Sequence, residues 1–108
     1  MITVLMDEVE LIIDSMDPAE REVMTVVGRI GGSANRNFTR QTIRKKLRDD
    51  TLPEADRAID SLRRKGLIRY YRKPDNFATT KLGFLVARKL KEEFQRRNFP
   101  DMRILLLF

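Results

Sequence analysis

The sequence contains no cysteine and no histidine. Without cysteine the chain cannot form a disulfide, a thiolate zinc site or a thiol nucleophile. Without histidine it lacks the commonest general base and one of the commonest metal ligands of proteins. No pair of acidic residues has a spacing typical of acid–base catalysis. We therefore expect a protein that is not an enzyme, with no metal site and no cofactor.

Long apolar segments are also missing from the sequence. No uninterrupted apolar run approaches the roughly 20 residues that a helix needs to cross a bilayer. Asp7, Glu8 and Glu10 interrupt the N-terminal apolar stretch early, which is not typical of a signal peptide. A length of 108 residues, 42% of them hydrophobic and 35% charged, suits one folded domain with a modest core. These features predict a cytoplasmic protein that makes no membrane contact.

Charge is distributed unevenly along the chain, whose formal net charge is +6. Residues 1–35 hold seven acids and two bases (−5), whereas residues 36–108 hold nine acids and twenty bases (+11). A basic segment of this kind is expected of a protein that presents one face to a polyanion. The alternative is a thermophile-like surface rich in arginine and glutamate, which implies no partner.

Two helices are predicted at the N-terminus. Between Ile2 and Met16 the apolar residues recur at steps of three and four, which indicates an amphipathic helix. The residues of this stripe are Leu5, Val9, Ile12 and Met16. Asp17 can cap a second helix, with Pro18 in its first position and Glu20 completing a capping box. The second helix should end at Gly31-Gly32.

A third and a fourth helix are predicted in the basic half. Phe38 and Thr39 should open the third helix, Phe38 as a hydrophobic staple and Thr39 as the N-cap. Its inward residues should be Ile43 and Leu47. The fourth helix begins near Pro53, and its apolar face is formed by Ala55, Ala58, Ile59 and Leu62.

The fourth helix should stop abruptly and lead into a hairpin. Gly66 is predicted to end it, because glycine tolerates the left-handed conformation that follows a helix. Residues 67–73 then read as one strand and residues 77–79 as a returning strand. Thr80 should cap a long last helix with an apolar residue at every fourth position, namely Leu82, Val86, Leu90 and Phe94.

The order of these elements resembles a winged helix-turn-helix domain. The segment LRRKGLI (residues 62–68) is similar to the end of that family's recognition helix. The segment TTKLGFLVA (residues 79–87) resembles its exit from the wing, where a threonine caps the last helix. The resemblance covers about residues 20–90, and small regulators of the MarR, PadR and ArsR type come closest. It implies a mainly α fold with a small two-stranded β-wing and extra N- and C-terminal helices.

The resemblance also implies binding to double-stranded DNA, with the fourth helix in the major groove and the wing on an adjacent groove or the backbone. Hydroxyl, guanidinium and backbone N–H groups at the start of the third helix can hold a phosphate, and arginine can read guanine through two hydrogen bonds. The candidate DNA-binding residues are Thr39, Arg40, Gln41, Arg44, Lys45, Glu54, Asp56, Arg57, Asp60, Ser61, Arg64, Arg72, Lys73 and Asn76.

Three of these candidates are acidic, and carboxylates repel phosphate. Glu54, Asp56 and Asp60 depart from the pattern, although such a residue can accept a hydrogen bond from cytosine N4. A simpler interpretation pairs them with arginines of the same helix, as Asp60 with Arg64. The acidic residues also motivate an alternative function: a winged-helix protein-interaction module, a scaffold or a polymerase-associated domain, that does not read DNA.

Two further groups of residues are predicted to have structural roles. Tyr70, Tyr71 and Phe77 should pack within the hairpin rather than stack on bases. The pair Asp49-Asp50 should form a turn rather than a metal or catalytic site.

The ends of the chain extend beyond the winged core, which should span residues 18–90. Residues 1–17 are expected to form a helix for dimerisation or core extension, and residues 91–108 the end of the last helix plus the apolar tail MRILLLF. Such flanking helices favour a two-fold homodimer through the terminal helices and the tail. The alternative is that the tail folds back on its own N-terminal helix.

The sequence as a whole predicts a dimeric transcriptional regulator that binds double-stranded DNA, with sequence-specific or semi-specific recognition. Its location would be cytoplasmic and nucleoid-associated. The sequence identifies neither an effector ligand nor an operator.

Overall fold

The computed structural model of the chain describes residues 2–30 and 37–98, with side chains described for residues 8–30 and 37–96. Two predicted features lie outside the described residues. They are the Gly31-Gly32 end of the second helix and the apolar tail of residues 102–108.

Five α-helices and three β-strands occupy the described residues. In chain order they are α1 (Ile2–Ser15), α2 (Pro18–Ile30), β1 (Asn37–Thr39), α3 (Arg40–Lys46), α4 (Ala55–Arg64), β2 (Ile68–Arg72), β3 (Asn76–Thr79) and α5 (Lys81–Asn98). A single 3-10 turn, Leu52–Glu54, leads into α4. The described part of the chain is therefore mainly helical with one small sheet, as the sequence predicted at this level.

The sheet has one strand more than the sequence predicted. All pairing is antiparallel and the strand order is β1-β3-β2. Phe38 was expected to begin a helix, but it lies in β1 opposite Phe77 of β3, with 6.4 Å between the ring centroids. A strand of three residues is too short to show an alternating pattern by itself. The prediction of a two-stranded ribbon is therefore wrong in strand number.

Helix α2 is the element around which the core is arranged. It packs against α3, α4 and α5, and its Val23, Met24 and Val27 are completely buried. From the sheet, Phe77 is also completely buried in the same cluster. The inward residues predicted for α3, Ile43 and Leu47, are buried. The apolar face predicted for α4 is confirmed at all four positions.

Helix α1 belongs to the same core. It packs against α5, and Val9, Ile13 and Met16 join the buried cluster. Among the described side chains the predicted stripe is shifted at one position, because Ile13 is 2% exposed whereas Ile12 is only partly buried. The side chain of Leu5 lies outside the described residues. Within the described residues, α1 therefore extends the core of its own chain.

The apolar face of α5 is shorter than predicted. Val86 and Leu90 are buried and Leu82 is partly buried. Phe94 was expected on the same face but is 54% exposed. The buried stripe of α5 therefore ends at Leu90.

The junction between α4 and β2 is fixed by backbone hydrogen bonds. Gly66 has φ of +80°, the left-handed conformation that glycine adopts without steric cost. Its N–H donates to the Arg63 carbonyl and the N–H of Leu67 donates to the Leu62 carbonyl, both at 3.0 Å. This pair of bonds is the Schellman motif. The helix end predicted at Gly66 is confirmed.

Thr80 links this junction to α5. Its Oγ1 accepts a hydrogen bond from the N–H of Gly83 (3.0 Å) and donates to the Gly66 carbonyl (2.6 Å). Gly83 also packs directly on the backbone of Leu67, where a Cβ would overlap the carbonyl oxygen. The predicted cap of the last helix therefore also holds α5 against the strand that follows α4.

The capping box predicted for α2 is present. The N–H of Glu20 donates to Asp17 Oδ1 at 2.9 Å, and the N–H of Asp17 donates to Glu20 Oε1 at 3.4 Å. The bond from the Glu20 backbone and the nearby Arg57 guanidinium lower the pKa of Asp17 from its ordinary value of 3.8. Asp17 thus stays charged and keeps the helix start capped at neutral pH.

None of the helices in residues 2–30 and 37–98 combines the length and the apolar character required to span a membrane.

Candidate nucleic-acid interface

The start of α3 uses its own polar groups internally. Thr39 is the N-cap as predicted, and its Oγ1 accepts a hydrogen bond from the N–H of Thr42 at 3.2 Å. The N–H of Arg40 donates to the Asp75 carbonyl at 3.0 Å. Two of the groups that were expected to hold a DNA phosphate therefore already have partners within the chain.

The Arg40 guanidinium is surrounded by three carboxylates. Its Nε lies 3.0 Å from Asp75 Oδ1, and its two terminal nitrogens each lie 3.3 Å from an aspartate of α4, Asp56 or Asp60. The guanidinium also lies 5.4 Å from the ring centroid of Phe77. With a side-chain exposure of only 18%, Arg40 is bound on most sides.

The protonation of Arg40 reflects this surrounding. Burial by itself lowers the pKa of Arg40, but the hydrogen bonds to Asp75, Asp60 and Asp56 outweigh it, and the net shift is upward. A nearby negative charge favours the charged form of a base. The side chain is therefore a permanent cation within this group.

Arg44, one turn further along α3, completes the group. Its guanidinium lies 3.5 Å from Asp56 Oδ1. We call Arg40, Arg44, Asp56, Asp60 and Asp75 the Arg40 cluster. Its two arginines and three carboxylates give a net charge of −1. The predicted pairing of Asp60 with Arg64 is wrong, because Asp60 contacts Arg40 across the interface between α3 and α4.

A second group of candidates contacts the start of α2, although the side chains of Arg57 and Glu54 remain 45% and 53% exposed. Arg57 contacts Glu54 at 2.6 Å and Asp17 at 2.9 Å, and the hydrogen bond to Glu54 is the main cause of a raised pKa. Ser61 Oγ donates to Glu20 Oε2 at 3.0 Å. Glu54, Arg57 and Ser61 thus fix α4 against the start of α2.

Glu20 is the buried centre of this second group. It is 4% exposed, and its Oε2 lies 2.6 Å from the Lys65 ammonium. Sequence reasoning assigned Glu20 only to the capping box and did not identify Lys65. The two residues are 45 positions apart, so no local pattern connects them. The only signal available in the sequence was the acidic residue itself, in the first turn of α2.

The hairpin contains a stack of aromatic rings and cations. Tyr70 stacks on Phe77 with centroids 5.3 Å apart. Arg63, from the end of α4, lies 5.0 Å from the Tyr70 centroid, and Lys73 lies 5.5 Å from the same centroid. The packing role predicted for Tyr70 and Phe77 is confirmed. Tyr71 departs from that prediction, because it is 47% exposed.

Two cations lie against this stack, and neither they nor their neighbouring cations in the chain have an acidic partner among the described residues. Arg63 and Lys73 converge on Tyr70, and Arg64 and Arg72 are their immediate neighbours in the chain. We call these four residues the basic strip. None of the four forms an ion pair with another described residue. The Nε of Arg63 is buried and has no hydrogen-bond partner among the described residues. The contrast with the Arg40 cluster is one of pairing and not of residue type.

The remaining candidates have no common partner. Gln41 and Lys45 are exposed on α3. Asn76 lies opposite Thr39 and Arg72 in the sheet, and its Oδ1 is buried without a hydrogen-bond partner in the described structure. Arg63, by contrast, belongs to the basic strip but was absent from the predicted set. Its signal was its place next to Arg64 at the end of the helix.

The described residues contain no group of three or more acidic side chains placed to hold a metal ion. The pair Asp49-Asp50 lies exposed in a turn, as predicted, and Asp50 contacts Arg48 at 3.3 Å.

Comparisons of the chain with protein-family models, with curated proteins and with solved structures gave no match.

Breaking the buried ion pair should weaken the fold. Glu20→Gln leaves the Lys65 ammonium, which is 26% exposed, opposite a neutral amide, and we expect a loss of about 2 kcal/mol. Urea unfolding at neutral pH measures the change. The double variant Glu20→Gln/Lys65→Met removes both charges and should recover part of the loss. The expectation would be contradicted if the stability lost by the double variant equalled the sum of the losses of Glu20→Gln alone and Lys65→Met alone.

Proposed function

We propose that the chain is a winged helix-turn-helix protein that binds double-stranded DNA. The order α2-β1-α3-α4-β2-β3 supports this proposal, because a helix-turn-helix pair followed by a hairpin is the arrangement expected of that family. The third strand found between α2 and α3 is compatible with the same arrangement. In this proposal α4 is the recognition helix and the β2–β3 hairpin is the wing.

The observation that carries the proposal is the unpaired basic strip. Four cations lie at the end of α4 and on the hairpin, and no carboxylate of the described residues neutralises them. A duplex presents closely spaced phosphates, and each contact to lysine or arginine releases condensed counterions. The strip therefore offers what a polyanion requires on an element that the family places against DNA.

The position of the strip changes which residues are expected to bind. The outward positions of α4 are Arg57, Asp60 and Arg64, which follow each other at steps of three and four. Arg57 and Asp60 are held by ion pairs within the chain, whereas Arg64 has none with a described residue. We infer that DNA approaches the C-terminal end of α4 and the hairpin more closely than the start of α4.

The biological role that fits these features is transcriptional regulation in the cytoplasm, in association with the nucleoid. We propose a non-enzymatic role, because the sequence offers neither histidine nor cysteine. The alternative, a protein-interaction module, was motivated by Glu54, Asp56 and Asp60. All three carboxylates are paired with arginines of the same chain, and this gives them a role that needs no protein partner.

A matched pair of variants tests DNA binding by the hairpin. Arg72→Gln/Lys73→Gln should weaken binding to a random duplex about tenfold at roughly 50 mM salt and lower the salt slope by about 2, since two phosphate contacts are lost. Arg88→Gln/Lys91→Gln on α5 removes the same charge from exposed positions and should change affinity less than about twofold. Fluorescence anisotropy measures both. An equal loss in the two variants, or no binding by the unmodified chain, would contradict the proposal.

We also propose that the chain forms a homodimer through its terminal segments. Leu11 on α1 is 68% exposed, and the sequence ends in the apolar segment ILLLF. A two-fold dimer would bury apolar surface of this kind and present two hairpins to one duplex.

Light scattering after size-exclusion chromatography tests the dimer directly. The expected molar mass is twice that of one chain, and Leu11→Glu should shift it toward the monomer because a charge would enter an apolar contact. Glu10→Gln, at the neighbouring exposed position, is the control and should leave the mass unchanged. A monomeric mass for the unmodified chain at micromolar concentration would exclude the dimer.

A further inference from the structure

We propose that Asp56, Asp60 and Asp75 are specificity-determining residues that withhold Arg40 and Arg44 from DNA phosphate and so limit binding to non-cognate duplexes. The inference rests on the proposed function and goes beyond it. In this proposal the acidic residues lower the affinity for DNA, whereas the basic strip raises it.

The N–H donors of Arg40 are largely engaged by the aspartates. A guanidinium presents five N–H donors in a fixed plane and holds a phosphate best through two of them at once. In Arg40 the Nε and both terminal nitrogens each face a carboxylate oxygen, at 3.0 to 3.3 Å. Three of the five N–H groups are thus directed at aspartates, and a phosphate that approaches this guanidinium meets their carboxylates.

The charge of the cluster also disfavours phosphate. With three carboxylates and two arginines it is net negative, and Asp56 and Asp75 keep 63% and 59% of their side chains exposed. Exposed carboxylates repel a phosphate that approaches within the Debye length of about 8 to 10 Å. The start of α3 and the outer side of α4 thus disfavour a duplex that is held only by its backbone.

The ion pairs of the cluster are exchangeable. Asp56 and Asp75 are both largely exposed, whereas Arg40 is 18% exposed, so the carboxylate side of each pair is accessible to a base. A carboxylate of α4 can exchange its arginine for an amino group of a base, such as cytosine N4. That exchange frees the guanidinium for the adjacent phosphate. The repulsion between the carboxylates and phosphate is therefore offset only on a duplex that offers such a donor.

The positions of the three acids support a common function. Asp56 and Asp60 belong to α4, whereas Asp75 lies in the turn of the β2–β3 hairpin, and all three meet at one residue of α3. The Arg40 cluster therefore joins the three elements that the winged-helix proposal places on DNA. A change in one of its ion pairs therefore affects the contacts among α3, α4 and the hairpin.

Removing charge from the two most exposed acids tests the inference. Asp56→Asn/Asp75→Asn keeps the side-chain shape and an acceptor oxygen for Arg40 but removes two negative charges. We expect a dissociation constant for a random-sequence duplex about fivefold to tenfold lower at roughly 50 mM salt, with the salt slope increased by about 1 to 2 because Arg40 and Arg44 now reach phosphate.

The control variant makes the same change of net charge elsewhere. Glu8→Gln/Glu10→Gln alters two exposed acids of α1 and should change the dissociation constant less than about twofold. Thermal unfolding by circular dichroism is recorded for each variant, and the comparison is made at a temperature where all three proteins are folded.

The outcomes separate the two proposals. Tighter binding by Asp56→Asn/Asp75→Asn than by the α1 control supports the inference. Binding by the unmodified chain with the two double variants indistinguishable would overturn the inference and leave the proposed function standing. Absence of binding by all three proteins at roughly 50 mM salt would overturn the proposed function and the inference with it.

Discussion

The contact of Arg40 with three aspartates governs the distribution of charge on the surface formed by α3, α4 and the hairpin. It joins the start of α3 to α4 and to the turn of the hairpin, beside the pairing of β1 with β3 and the buried apolar residues of α3 and α4. It also decides which charges remain available outside. The carboxylates that would repel DNA are occupied by arginines, and the arginines that would attract it are occupied by carboxylates. Neither set acts on a ligand at full strength.

Two ion-pair groups therefore hold α4 from opposite sides. On one side the Arg40 cluster fixes it to α3 and the hairpin, and on the other the buried Glu20 carboxylate fixes it to α2 through Lys65 and Ser61. Two of the five charged residues of α4, Asp56 and Asp60, are used in these contacts. On α4 itself the cations without an acidic partner among the described residues are Arg63 and Arg64, at its C-terminal end, and Arg72 and Lys73 of the hairpin are likewise unpaired there. In the proposed function these cations supply affinity, and the paired acids modulate it.

Local signals in the sequence predicted local structure well. The caps at Asp17 and Thr39 and the helix end at Gly66 depend on neighbours within a few positions, and all three are present. Strand β1 was missed because its three residues acquire strand geometry only by pairing with β3, almost 40 positions later. The partner of Asp60 was wrong for a similar reason. An i,i+4 arginine on the same helix is the local choice, but Arg40 lies closer across the helix interface. The types of the candidate residues could thus be predicted from the sequence, whereas their ion-pair partners could not.

In the proposed function, internal ion pairs of Arg40 and Arg44 leave the basic strip as the polyanion-binding surface. Backbone amide NMR during titration with a random-sequence duplex tests it residue by residue. We expect the largest shift changes at Arg63, Arg64, Arg72 and Lys73, with small changes at Arg40, Gln41 and Arg44. Changes centred on the start of α3, with the hairpin amides unaffected, would contradict it.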